Sequence, residues 1–259
     1  MRTIDINCDM GESFGVYTLG DDDAMLSIVT SANIACGFHA GDPLVMHRTL
    51  AAAAARGVNV GAHPSLHDLW GFGRRRILDE SPDEIAKQII YQIGALRALA
   101  ECQGIRLAHV KTHGSLGNMA AEDAALAVAI AGAIASVDGD LFFTVMPAME
   151  TEKAALEAGL SPIREIYADR AYADTGNLLS RKLPGSVIHD PDLAADRVLR
   201  MIEADAVICE SGKRIPGRID SVCVHGDTPD AVSMARRLRE RLEQAGLKVA
   251  PPSKDTKTS

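Results

Sequence analysis

Thr3-Ile4-Asp5-Ile6-Asn7-Cys8-Asp9 is the stretch on which the fold turns. Read with a period of two, Ile4, Ile6 and Cys8 fall on one side and Asp5, Asn7 and Asp9 on the other, which is the alternation of a β-strand. Asp and Asn are poor strand formers, so the polar side needs a destination. Two later segments repeat the pattern: His109, Lys111 and His113 oppose Ala108 and Val110, and Ser221, Cys223 and His225 oppose Val222 and Val224. In a doubly wound parallel sheet helices cover both faces and the strands read apolar throughout. A barrel carries helices only outside, and its inner face rises to a mouth where polar groups can meet. The pattern predicts a barrel.

Working outward, seven short apolar or alternating segments predict strands at 3–8, 32–36, 58–62, 108–111, 141–145, 163–167 and 221–225. Helices lie between them. Asp42-Pro43, Ser81-Pro82, Asp190-Pro191 and Thr228-Pro229 each pair an N-cap with a proline at the first helical position, and Glu84 completes a capping box with Ser81. The first two of these helices run to about Arg56 and Gln103, each followed by glycine. Further helices are expected at 21–30, 120–136 and 147–158, making seven. Strands alternating with helices imply parallel βαβ units. Two more strand candidates, 186–188 and 206–209, together with 213–217, read as a small inserted β-ribbon near 186–217. The fold class expected is therefore α/β, a seven-stranded parallel (β/α) barrel. It forms one domain over 1–250, with a disordered tail over 251–259.

Of 259 residues, 47% are hydrophobic and the formal net charge is -8, which argues against nucleic acid or an anionic membrane as partner. Cys8, Cys36, Cys102, Cys209 and Cys223 form no C-x-x-C pair, so neither a zinc knuckle nor a disulfide framework is expected. The apolar run 124–135 is too short to span a bilayer, and no signal peptide precedes the first strand. A cytoplasmic location and a small-molecule substrate are expected.

In β/α folds, ligands bind beyond the carboxyl ends of the strands. Six strand ends here carry chemistry: Asp9 with Glu12; His39 with Asp42; His63; Lys111 with His113; Asp169 with Arg170; and His225 with Asp227. Lys111, between His109 and His113 on an inward face, needs a carboxylate, and Asp9 and Asp227 are the candidates. His39, His63 and Asp9 offer a metal three strand ends. Arg74-Arg75-Arg76 reads as a solvated loop by composition, although Gly71-Phe72-Gly73 before it makes an anion-binding loop the alternative. His47, His67 and His189 read as hydrogen-bonded structural residues, and Asp42, Ser81 and Asp190 as caps. No P-loop, G-x-S-x-G elbow or H-E-x-x-H motif is present.

Four stretches carry a resemblance: residues 5–15 (DINCDMGESFG), 33–43 (NIACGFHAGDP), 61–65 (GAHPS) with 71–75 (GFGRR), and 223–229 (CVHGDTP). They resemble the LamB/YcsF family, described as the A component of a bacterial 5-oxoprolinase, in order from Thr3 to about Gly246. The resemblance implies a seven-stranded barrel of the glycoside hydrolase/deacetylase type. It also implies ATP-dependent opening of 5-oxo-L-proline to L-glutamate with partner subunits B and C. ATP is then a cofactor, with Mg2+ or another divalent metal a further candidate. Where the family reads Lys-Pro-His-Gly-Ala-Leu-Tyr-Asn, this chain has Thr112, Ser115 and Gly117 but keeps Lys111 and His113. Ala168-Asp169-Arg170-Ala171-Tyr172 keeps the family's charged pair.

ATP-coupled opening of a lactam needs charge neutralisation, a base for water and an acid for the leaving nitrogen. On the matching positions, Lys111 is assigned to the phosphate or oxyanion, Asp9 and Asp227 to the base or Mg2+, and His113 to acid–base work. Asn7, Glu12, His39, His63, Arg74, Asp169, Arg170 and His225 are assigned to substrate or nucleotide binding. Two other classes stay open at this point: a stand-alone metal-dependent amidohydrolase or deacetylase, and a non-catalytic docking subunit.

Overall fold

In chain order the elements are β1 (Thr3–Met10), α1 (Asp22–Leu26), β2 (Ser31–Ala35), α2 (Pro43–Ala55), β3 (Asn59–His63), α3 (Pro82–Glu101), β4 (His109–Lys111), α4 (Gly114–Glu122), α5 (Ala124–Val137), β5 (Phe142–Val145), α6 (Glu150–Glu157), β6 (Ser161–Tyr167), α7 (Pro191–Ala204), β7 (Ala206–Ile208), β8 (Arg214–Pro216), β9 (Ser221–Cys223), α8 (Ala231–Gln244) and β10 (Lys248–Val249). The structure is a computed structural model that describes residues 1–227 and 230–253. Strands β1, β2, β3, β4, β5, β6 and β9 pair in parallel in that order, and a β1–β9 pairing closes them into a seven-stranded barrel. The barrel expected from the alternation in β1 is the one observed.

The two faces of β1 explain the closure. Ile4, Ile6, Cys8 and Met10 are fully buried outside the barrel wall, beneath helices. Ile4, Ile6 and Met10 each contribute roughly 1.5–3 kcal/mol of burial. Elsewhere around the wall, helix α3 packs on β3, α2 and α5 with a buried stripe, Ile85, Ile89, Ile93 and Leu96, at the spacing of a helix face. The other face of β1 points into the lumen. Register sets Asp5 beside Ser221, Asn7 beside Ser31, and Asp9 beside Asn33.

At the lumen floor Asp5 is almost fully buried and accepts hydrogen bonds from Thr30 Oγ1 (2.6 Å), Ser31 Oγ (2.7 Å) and Ser221 Oγ. Gly61, opposite His109 in register, leaves room for that ring to lie across the lumen; a Cβ there would collide with His109 Nε2. His109 Nε2 thereby reaches Asn33 Oδ1 at 2.7 Å.

Several boundaries differ from the sequence expectation. Helix α1 stops at Leu26 rather than Thr30, because Thr30 already belongs to the strand ladder: its N–H donates to Ile6 O. The helix expected over 120–136 is two, α4 and α5, broken at Asp123, whose carboxylate caps α5 by accepting from Ala125 N and Leu126 N. Alanines on both sides concealed that break. The ribbon is β7 with β8, antiparallel; residues 186–188 contribute only an isolated bridge, Val187 to Arg170, since α7 separates them from it. The two-residue β10 pairs in parallel beside Thr3 and Ile4, too short to show an alternation. The expected cap at Thr228-Pro229 and most of the expected tail, 254–259, lie outside the described residues. Among the described residues no single helix is long and apolar enough to cross a membrane.

Candidate active site at the barrel mouth

Lys111, the last residue of β4, sends its ammonium into the lumen and is only 2% exposed. Four partners surround Nζ: Glu165 Oε1 at 2.9 Å, Asp9 Oδ1 at 3.0 Å, Cys223 Sγ at 3.1 Å and Asn7 Oδ1 at 3.2 Å. Burial alone would pull the lysine pKa down, but Asp9, Cys223 and Glu165 carry it well above its ordinary value. Burial likewise opposes ionisation of Asp9, yet His63 and Lys111 hold its carboxyl well below the usual range. A charged lysine between two carboxylates is the stable state here.

Amides lock this cluster. Asn7 Nδ2 donates to Glu165 Oε1 (2.7 Å) and Ser221 Oγ (2.8 Å), while Asn33 Nδ2 donates to Asn7 Oδ1 (2.7 Å) and Asp9 Oδ1 (2.9 Å). Asp9 was the expected partner of Lys111 and is one. Asp227, the other candidate, is not: its Oδ2 accepts from Arg74 Nη2 at 2.6 Å on the rim, and Glu165 takes its place. The reason is register. Glu165 sits opposite Ser221, which sits opposite Asp5, so strand pairing carries it into the lumen, whereas Asp227 lies beyond the end of β9.

Beside the lysine lies a histidine cluster. His39 and His113 stack with ring centroids 3.7 Å apart, and His63 stands edge-on to both. Glu12 Oε1 is 3.3 Å from His39 Nε2 and 3.7 Å from His113 Nδ1. Burial pushes the pKa of His39 and His113 well below the ordinary imidazole value and that of Glu12 well above the usual carboxylate value. His113 Nδ1 faces His63 Nε2 at 2.9 Å and its Nε2 faces Phe72 O at 2.9 Å, so both nitrogens of the ring are turned to protein partners.

His225 is arranged differently. Its Nδ1 meets both oxygens of Asp169, the shorter contact 2.8 Å, and its ring stacks on Tyr167. An oxygen of Asp9, the Cys223 sulfur and a His225 nitrogen lie within 4.8 Å of one another. Arg170 is buried beneath this wall, donating to the carbonyls of Leu179 and Ser186. The basic run is paired off: Arg74 with Asp227, Arg75 with Asp68, and Arg76 with Glu122. Arg74 also lies over the Phe72 ring, 4.9 Å from its centroid.

Above these groups opens a cavity of about 470 Å³, of the size that small-molecule sites occupy. Asp9, Lys111, His63, His113, His225, Glu165, Tyr167, Arg74 and Arg170 are all in its wall. So are Thr112, Ser115 and Gly117, the three positions at which the chain departs from the motif around Lys111. Ser115 also donates to Gly73 O (3.1 Å) and Arg75 O (2.7 Å), tying the basic loop to α4. Glu165 and Asn33 are the site residues the sequence reading lacked. Glu165 shares a strand face with Tyr167, and that parity was the available signal.

Fold and site together define a β/α-barrel protein with a buried ionic centre under an open mouth, the arrangement of barrel enzymes. The chain belongs to the LamB/YcsF family, whose profile matches residues 4–257. It is 52% identical over 251 residues to the second of the 5-oxoprolinase A subunits of Bradyrhizobium diazoefficiens, covering 97% of this chain and 98% of that one. It is 50% identical over 248 residues to the 5-oxoprolinase A subunit of Gluconobacter oxydans, covering 96% and 97%. Among solved structures, the lactam utilization protein from Thermus thermophilus superposes with a TM-score of 0.89 at 43% identity, over 96% of this chain and 99% of that chain. The catalytic domain of a peptidoglycan N-acetylglucosamine deacetylase from Eubacterium rectale shares the fold alone, with a TM-score of 0.53 at 11% identity over 100% of this chain and 91% of that one.

Proposed function

We propose that this chain is the A component of an ATP-dependent 5-oxoprolinase, a hydrolase that opens the lactam of 5-oxo-L-proline to L-glutamate together with partner subunits B and C. The observation that carries this reading is the likeness, half or more of the residues identical over nearly the whole length, to proteins of that name. The site supports it. Lactam hydrolysis adds water to the carbonyl carbon and breaks the C–N bond, with a proton delivered to the nitrogen. Lys111 supplies a buried positive charge for the developing oxyanion or a phosphate, in surroundings where such a charge acts strongly. Asp9, held ionised beside it, is the base for water.

The acid–base imidazole is His225 rather than His113, because Asp169 orients one nitrogen of His225 while those of His113 are both engaged. Arg74, steadied by Asp227, stands on the rim where an anionic substrate or nucleotide enters, with ATP and its Mg2+ as the cosubstrate. A nucleotide-consuming role and five free cysteines, four of them buried, suit the cytoplasm. The test is glutamate release from 5-oxo-L-proline by the purified chain, alone and with subunits B and C, with and without ATP and Mg2+. Release only by the complete set with ATP is expected. Release by this chain alone without ATP would instead make it a stand-alone amidohydrolase.

A further inference from the structure

We propose that Glu12, His39, His63 and His113 form a binding site for one divalent transition-metal ion, distinct from the Mg2+ that accompanies a nucleotide. The argument begins with protons. A neutral imidazole has one N–H and one lone pair, and a carbonyl oxygen only accepts. His63 Nδ1 lies 2.7 Å from Lys111 O, so it carries the proton and Nε2 is a lone pair. His113 Nε2 lies 2.9 Å from Phe72 O, so it carries the proton and Nδ1 is a lone pair. Those two lone-pair nitrogens face each other at 2.9 Å. Asp9 Oδ2, 3.3 Å from His63 Nε2, adds a further acceptor, and Glu12 Oε1 lies 3.7 Å from His113 Nδ1. With His63 neutral, lone pairs and carboxylate oxygens converge with no fixed donor between them; a positive charge at their centre, either a second proton on His63 beside Asp9 or a metal ion, resolves the conflict.

Three further features fit a metal. The ligating atoms of the four residues all lie within 4.8 Å of one another, and all four side chains are buried. The ligand edges of a tetrahedral site with nitrogen and oxygen donors are roughly 3.3 Å, so the His63–His113 pair at 2.9 Å would open slightly while wider pairs such as Glu12–His113 at 3.7 Å close. Both His63 and His113 give their other N–H to a backbone carbonyl, the arrangement that orients metal-ligating imidazoles. The Phe72 carbonyl is placed at a cost in strain: Phe72 has φ +55°, a left-handed conformation that a bulky side chain rarely adopts. Gly73 follows at φ +64°, and a Cβ on it would sit 2.7 Å from His113 Cδ2 and collide with Ser65 Oγ. The loop approaches the histidines as closely as the backbone can.

Three imidazoles and one carboxylate suit Zn2+, Co2+, Ni2+, Fe2+ or Mn2+ and not Mg2+ or Ca2+, which prefer all-oxygen sites. Since His63 and His113 also line the cavity, an ion there would polarise a substrate oxygen or a bound water next to Asp9. The site does not depend on lactam hydrolysis, and its test needs no turnover.

The full-length chain carrying Cys102→Ala, which removes the one exposed thiol, is stripped with a chelator and titrated with Co2+ and with Zn2+. Expected are saturable uptake of one ion per chain by elemental analysis and visible Co2+ bands of a nitrogen-rich, low-coordinate site. Glu12→Gln and His113→Gln, each confirmed folded by circular dichroism, should weaken affinity at least about tenfold, the lower end of what disturbing a metal site costs. No saturable uptake by the parent chain would overturn the proposal and leave a proton shared between His63 and His113. Uptake unchanged in both variants would overturn it equally.

Discussion

Asp9 has one oxygen in each of two clusters. Its Oδ1 accepts from Lys111 at 3.0 Å, and its Oδ2 faces His63 Nε2 at 3.3 Å. On the lysine side a donor with three N–H groups meets two carboxylates, an amide oxygen and a thiol, and both asparagine amides are oriented by the groups around them. On the histidine side the fixed protons all point outward to carbonyls, and acceptors face inward. The first cluster is complete as folded, which suits a fixed electrostatic device. The second is complete only when something positive occupies it. Neighbouring buried groups of similar composition can thus serve as machinery or as a receptor, and proton counting separates the two.

The comparison breaks most visibly if the lysine is removed. Lys111→Met leaves Asp9 and Glu165 buried without their cation and should cost about 3–5 kcal/mol in urea unfolding, with Glu165→Gln added to it restoring part of the loss. Below that in size comes Asp5 on the lumen floor. Burial raises its pKa from 3.8 to about 6, with Glu165 adding to the effect against the hydroxyls of Ser221, Thr30 and Ser31. Below pH 3.8 Asp5 is protonated in folded and unfolded chains alike. As pH rises through about 6 the folded chain comes to carry an unwelcome charge, and this group's stabilising contribution is lost. Relative to wild type, Asp5→Asn should therefore gain stability between pH 4 and 7, by up to about 3 kcal/mol. Paired denaturation curves at the two pH values measure it.

Gly61→Ala should follow at about 1–3 kcal/mol, because its methyl would strike the His109 ring. His109→Ala in the same chain should remove most of that penalty. Smallest is Asp123→Ala, far from both clusters, at about 1 kcal/mol for the lost cap of α5 and with no change in metal uptake.

Much of this was legible in the chain, for physical reasons. The polar face of β1 could be buried only in a lumen, so the alternation of Asp5, Asn7 and Asp9 was enough to select a barrel. Proline-led caps at Asp42, Ser81 and Asp190 marked helix starts because the capping chemistry is local. The partners of Lys111 were only half legible. Asp9 was found by its place at a strand end, but Glu165 required the register of β6 against β9, which no single strand contains. Asp227 was misplaced for the same reason, as its distance from Lys111 depends on where the β9 loop turns. His39 and His63 were read as metal candidates with Asp9, whereas stacking brings in His113, and Glu12 Oε1 lies against both stacked rings.

The central claim is that the Lys111 centre at the barrel mouth carries out the lactam chemistry. Its most direct test is the initial rate of ATP-dependent glutamate release from 5-oxo-L-proline by the complex assembled with the Lys111→Met/Glu165→Gln chain, after circular dichroism confirms the fold. The account predicts a fall of at least about a hundredfold, the scale of losing a preorganised charge at the reacting oxygen. Turnover at the wild-type rate by that folded variant would contradict it.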